Sequence, residues 1–276
     1  MIYDETPCEL GEGPLWHPLR GELFWFDILA KRLHTKGRAW QFDRFVSAAG
    51  WVDRENLLIA DDRSLFLFNL ETGERREVCA LESDNPATRS NDGRADPWGG
   101  FWIGTMGLDA QAGAGAIYRW FRGELRRLIP GVTIPNAICF APDRRCVYYT
   151  DTANAVIWRQ PLDAHDGWPK GAAEKFLDLA REGLNPDGAV CDAEGGLWNA
   201  QWGASRIARY TPDGRLERTV AMPTENVTCP AFGGPGMKTL FTTSATIGLE
   251  HADPDAGKTF ATVTEIEGVP ENRVIL

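Results

Sequence analysis

The chain reads as all-β, a six-bladed β-propeller with four-stranded antiparallel blades, and three features predict it. Turn residues punctuate the sequence about every ten positions, with short aromatic and β-branched runs between them in place of long helical patterns. The runs repeat. Trp25, Leu58, Trp102, Tyr148, Trp198 and Phe241 share one phase, 216 residues from first to last in five intervals, a mean period of about 43. Such a period with four strands per unit marks propeller blades, and six units fill the 276 residues as one domain over 1–276.

In chain order the strand-like runs are 23–26, 65–68, 100–103, 147–150, 196–198 and 239–241. Two repeats show the hairpin plainly: an apolar run and turn at 137–143 lead to Tyr148, and another at 189–196 leads to Trp198. Only 176–182 hints at a helical turn. A β-sandwich or a pair of barrels is the rival architecture, yet neither explains the common period, and radial closure leaves only short protected sheet edges. Trp25, Trp102 and Trp198 fall on the phase that packs between blades, so the eleven tryptophans read mainly as core, with Trp16 and Trp202 open to another role.

Composition excludes several classes. With 29 basic against 39 acidic side chains the net charge is −10, and no basic cluster offers a footprint for nucleic acid. No run approaches the 18 or so apolar residues of a membrane span. The first residues lack the basic and apolar regions of a secretion signal, and the six cysteines are scattered without Cys-x-x-Cys spacing, so reduced thiols and a cytoplasmic location are expected. The four histidines lack zinc-ligand spacing, and neither a Gly-x-Ser-x-Gly elbow nor a phosphate loop is present.

The innermost strand of each blade lines the central channel, so polar residues sharing one phase of the repeat converge there. Glu12 lies 13 residues before Trp25, Asn91 11 before Trp102, Asn136 12 before Tyr148 and Asp187 11 before Trp198. Ser47 and Thr228 or Cys229 take that phase in the other two units. A period of two puts Arg89 on the face of Asn91, and Asn185 on that of Asp187. On composition alone Asn91-Asp92-Gly93 and Pro186-Asp187-Gly188 also read as turns. Agreement of phase in four units favours the channel. Hard oxygen donors, two of them anionic, are costly to bring together without a cation, and one divalent metal is the simplest compensation.

At these residues the sequence resembles the family of sugar lactonases that includes regucalcin (senescence marker protein) and gluconolactonase. The matching segments are Leu10-Gly11-Glu12-Gly13-Pro14-Leu15-Trp16, Arg89-Ser90-Asn91-Asp92-Gly93, Ile134-Pro135-Asn136-Ala137, Pro186-Asp187-Gly188 and Phe232-Gly233-Gly234, in the family's order and spread over nearly the whole chain. The resemblance implies a six-bladed propeller with one divalent cation in its channel. It further implies Glu12, Asn136 and Asp187 as metal ligands, Asp187 also as general base, and Arg89 and Asn91 as the pair that holds the sugar's oxygens.

The implied activity is metal-dependent hydrolysis of an aldonolactone, gluconolactone-like, to the aldonic acid. The partner is then a small-molecule sugar lactone, with no nucleic acid and no membrane. Ca²⁺ is the expected ion, with Zn²⁺, Mg²⁺, Mn²⁺ and Fe²⁺ admitted by the same donors. A noncatalytic calcium-binding propeller, or a propeller hydrolase acting on another lactone or a phosphotriester, stands as the alternative. One departure bears on substrate: where some members carry a substrate-contacting glutamate before the Gly-x-Leu/Ile-Tyr strand, this chain has Ala112-Gly113-Ala114-Gly115-Ala116-Ile117-Tyr118.

Overall fold

A computed structural model describes residues 1–251 and 253–276. Among them six four-stranded antiparallel sheets form a ring, a six-bladed β-propeller. The inner strands are Gly11–His17, Val46–Trp51, Thr88–Ala95, Pro135–Phe140, Asn185–Cys191 and Val227–Gly233, which number the blades one to six. Each inner strand packs beside the next around the channel. The ring closes by strand pairing: Ile2–Asp4 is the outermost strand of blade six and pairs antiparallel with Thr259–Val263.

The aromatic phase read from the sequence is the second strand of every blade, and Trp25, Leu58, Trp102, Tyr148, Trp198 and Phe241 are all buried there. Alternate side chains of these strands leave the two faces of each sheet apolar, so every neighbouring pair of blades shares one apolar cluster. Trp16 also belongs to the packing, stacked on Phe241 at 5.4 Å between ring centroids. Blades three and five repeat one polar device where the inner strand ends. Asp96 and Asp192 each accept a backbone N–H from a glycine four residues on and pair, at 2.7 Å, with Arg119 and Arg209 of the third strand.

The helical hint at 176–182 is corrected in part. Residues through Asp178 belong to the strand Glu174–Asp178, the outer edge of blade four, and only Ala180–Glu182 makes a 3₁₀ turn. Pairing with Val156 to Arg159 of the preceding strand overrides the local pattern.

Candidate functional site

Every inner strand breaks its ladder register near its start: between Glu12 and Leu15, Val46 and Ala48, Ser90 and Gly93, Asn136 and Cys139, Pro186 and Ala189, and Val227 and Pro230. The shared phase of the polar residues is therefore a shared irregularity. Bulges bend a strand and re-aim a side chain. Gly13 and Ala137, immediately after Glu12 and Asn136, hold left-handed backbone with φ of 54° and 57°. At Gly13 a side chain would also collide with the Ser47 carbonyl of blade two, so glycine is required. Ala137 accepts the same conformation at a cost of about 1 kcal/mol or more.

All five residues singled out in the sequence come together. Glu12, Arg89, Asn91, Asn136 and Asp187 line one cavity of about 550 Å³ at this end of the channel, and each is buried, 3–7% exposed. Arg89 Nη1 donates to Asn91 Oδ1 at 2.8 Å and to Ser90 O at 2.9 Å. Asn91 Nδ2 donates to Asn136 Oδ1 at 3.1 Å and to Pro135 O at 3.0 Å, linking blade three to blade four. Asn136 Nδ2 donates to Thr152 Oγ1 at 2.9 Å, and the Thr152 hydroxyl in turn to Pro186 O at 2.7 Å, linking blade four to blade five. Ser47 and Thr228, the same phase in blades two and six, instead turn their hydroxyls to Ser90 Oγ and to the Gly11 carbonyl.

The electrostatics are those of crowded, dry carboxylates. Burial first, then the negative Asp92, pushes Glu12 up to about 8. Burial first, then Glu12 and Asp92, holds Asp187 well above the usual carboxylate range. Asp92 itself is pushed up to about 6 by burial, and burial lowers Arg89 to about 10. Four carboxylates of the buried axis (Glu12, Asp92, Asp187 and Glu271) face two guanidinium groups (Arg89 and Arg94), a formal excess of two negative charges. Among the described residues no three His, Cys, Asp or Glu side chains gather as a metal cluster. The donor set is instead two carboxylates and an amide oxygen, hard ligands that suit a divalent cation by charge and by chemistry.

Several residues of the site escaped the sequence reading. Asp92 hides in a tripeptide that reads as a turn, and Thr152 stands on a 3₁₀ turn after a strand. Trp202 lines the cavity rather than a blade interface, together with Met106, Leu108 and Ile247. Asp109 also lines it, from the connection between the second and third strands of blade three, so the segment that lacks the family's glutamate still presents a carboxylate nearby.

Residues 10–246 match the family model described as the SMP-30/Gluconolactonase/LRE-like region. A 6-deoxy-6-sulfogluconolactonase of Pseudomonas putida is 34% identical over 96% of this chain and 94% of its own. An L-arabinolactonase of Azospirillum brasilense is 34% identical over 98% of this chain and 93% of its own. The crystal structure of a calcium-binding protein, regucalcin, from Agrobacterium tumefaciens matches with a TM-score of 0.97 at 42% identity, covering all of this chain and 97% of that one. The chain belongs to the SMP-30/gluconolactonase/LRE-like family.

Proposed function

We propose that this protein, a single propeller domain over 1–276, is a divalent-metal-dependent lactonase that opens a sugar lactone, gluconolactone-like, to its aldonic acid. The observation that carries the proposal is the meeting of Glu12, Arg89, Asn91, Asn136 and Asp187, from four blades, on one cavity. Relatives named for lactone hydrolysis support it. In this reading Glu12, Asn136 and Asp187 hold the cation. When bound, it supplies Lewis-acid polarisation of the lactone carbonyl.

The chain's own groups do the rest. Arg89 and Asn91 form the substrate-binding pair: Asn91 Oδ1 holds the guanidinium, whose remaining N–H groups are fixed donors to the substrate's oxygens and so orient the ring. Asp187 is the general base: it takes a proton from the water whose oxygen bonds to the carbonyl carbon. As the ring C–O bond breaks, it returns that proton to the departing ring oxygen. Positive charge beside it draws its raised pKa down, so that the carboxylate is ionised when needed. Asp109 at the mouth accepts sugar hydroxyls, and the Trp202 indole gives the ring an apolar wall.

The six cysteines are free thiols, consistent with the cytoplasmic location we propose, and no described helix is long and apolar enough to cross a membrane. The test is a pH-indicator assay of several aldonolactones with and without chelator, on wild type and Asp187→Asn. Chelator-sensitive ring opening that Asp187→Asn reduces by ~10²–10⁴ is expected. Unchanged turnover in that variant rejects the assignment. Cation uptake without ring opening turns the protein into a noncatalytic binder, in keeping with the regucalcin description.

A further inference from the structure

Below the cavity the axis is closed by a buried ion pair that ring opening does not use. Arg94 lies three residues after Asn91 on the inner strand of blade three and is 8% exposed. Its Nε donates to Ile138 O and its Nη2 to Ala189 O, both at 3.2 Å. Ile138 stands two residues after Asn136, and Ala189 two after Asp187. One guanidinium thus spans the three strands that carry Asn91, Asn136 and Asp187, at their bulges.

The remaining arm of Arg94, Nη1, pairs with Glu271. Glu271 belongs to no blade. It sits in the C-terminal segment, which starts at blade six with Gly268 N donating to Met237 O at 2.8 Å and reaches blade three with Ile275 N donating to Gly99 O at 2.9 Å. Between these anchors Trp51 Nε1 donates to Glu271 O at 2.8 Å, and Val274 is fully buried against blades two and three. The segment therefore crosses the end of the channel opposite the cavity and lifts one carboxylate into it.

We infer that Arg94 and Glu271 are positioning residues: the C-terminal segment, through Glu271, aims a guanidinium that sets the spacing of the strands on which the cation site is built. The inference rests on the reading of Glu12, Asn136 and Asp187 as the groups that hold a divalent cation. Without the Glu271 charge, Arg94 is left buried with Asp92 as its nearest carboxylate, and turning toward Asp92 releases Ile138 O and Ala189 O.

The experiment is calorimetric titration of the chelator-stripped full chain with Mn²⁺ alone, well below the melting temperature of every variant. Glu271→Gln keeps the shape of the side chain and is expected to raise the Mn²⁺ dissociation constant about tenfold, the low end of what losing a supporting partner costs a metal site. Arg94→Lys keeps the charge but not the fork that reaches two carbonyls, and weakens binding in the same direction; if Glu271→Gln does not fold, Arg94→Lys decides alone. Asn272→Ala is the control: it removes only a bond from the same segment to Ala95 O and leaves Mn²⁺ affinity at the wild-type value even where it lowers the melting temperature. Wild-type affinity in both Glu271→Gln and Arg94→Lys, or equal weakening in Asn272→Ala, overturns the inference. A wild-type chain that takes up no Mn²⁺ overturns the cation reading itself, and the inference with it.

Discussion

Glu12→Gln makes the metal-free protein more stable than wild type, and a dication removes most of that advantage. The Glu12 carboxyl is lifted from an ordinary 4.5 to about 8 by burial and by Asp92. Between those values the folded carboxyl keeps a proton that the unfolded chain releases, so stability falls as pH rises through the window. At pH 7 the 2.5 pH units above 4.5, at ~1.4 kcal/mol each, amount to about 3 kcal/mol of lost stability. Gln still accepts the Gly13 N–H, which Oε2 now receives at 3.0 Å, and carries no charge to desolvate. At ~2 °C or more per kcal/mol in a chain of this size, chelator-treated Glu12→Gln melts roughly 6 °C above chelator-treated wild type at pH 7, and the difference vanishes near pH 4.5. A dication at a hundred times its dissociation constant then returns ~2.7 kcal/mol to wild type alone, removing most of the gap. Differential scanning calorimetry at pH 4.5 and 7, with chelator and with Ca²⁺, reads all four states. Glu12→Gln melting below metal-free wild type at pH 7 would falsify the account of this carboxylate.

Two further outcomes are expected. Arg89, held by Asn91 and Ser90, is the one cation among the described residues lining the cavity, and Asp109 is the acid at its mouth. A phosphate on the distal carbon of the lactone, lying beside Asp109 and away from the bound cation, is disfavoured by about tenfold in kcat/KM relative to the neutral lactone, an effect of ~1.4 kcal/mol that Asp109→Lys reverses; equal efficiency for both lactones in wild type contradicts this. His34, stacked on Trp25 at 5.6 Å, has its pKa lowered by burial. As pH falls through 6.5 the unfolded ring takes up a proton that the folded one refuses, so stability drops by up to ~1.4 kcal/mol per pH unit. His34→Phe flattens that acid limb in urea titrations at pH 7 and 5.5, and an unaltered limb shows that His34 carries none of it.

The ring was legible because interblade packing needs a bulky apolar residue on every second strand, which imprints one period on the whole chain. Glu12, Asn136 and Asp187 were legible for the same reason: they sit at one phase of that period. Their offsets from the aligned aromatic differ by one or two residues because the hairpins that join the two positions differ in length, while the bulge itself is the same in all three. Arg94 and Glu271 were not legible, since 177 residues separate them and Glu271 lies outside every repeat. Asp109 was missed because it lies in an irregular connection, where neither a period of two nor the blade repeat constrains side-chain direction.

The pairing of Ile2–Asp4 with Thr259–Val263 also dictates when the protein can first work. The two partners lie at opposite ends of the ring's sequence, so during synthesis the seam stays open until the second has been made. Contacts this remote in sequence form late and slowly. Until then the terminal blade exposes an unpaired strand, and the blade bearing Glu12 has no sixth neighbour. The closed ring should thus form in a single step once Thr259–Val263 has been made, and deleting Ile2–Asp4 would delay that step or abolish it.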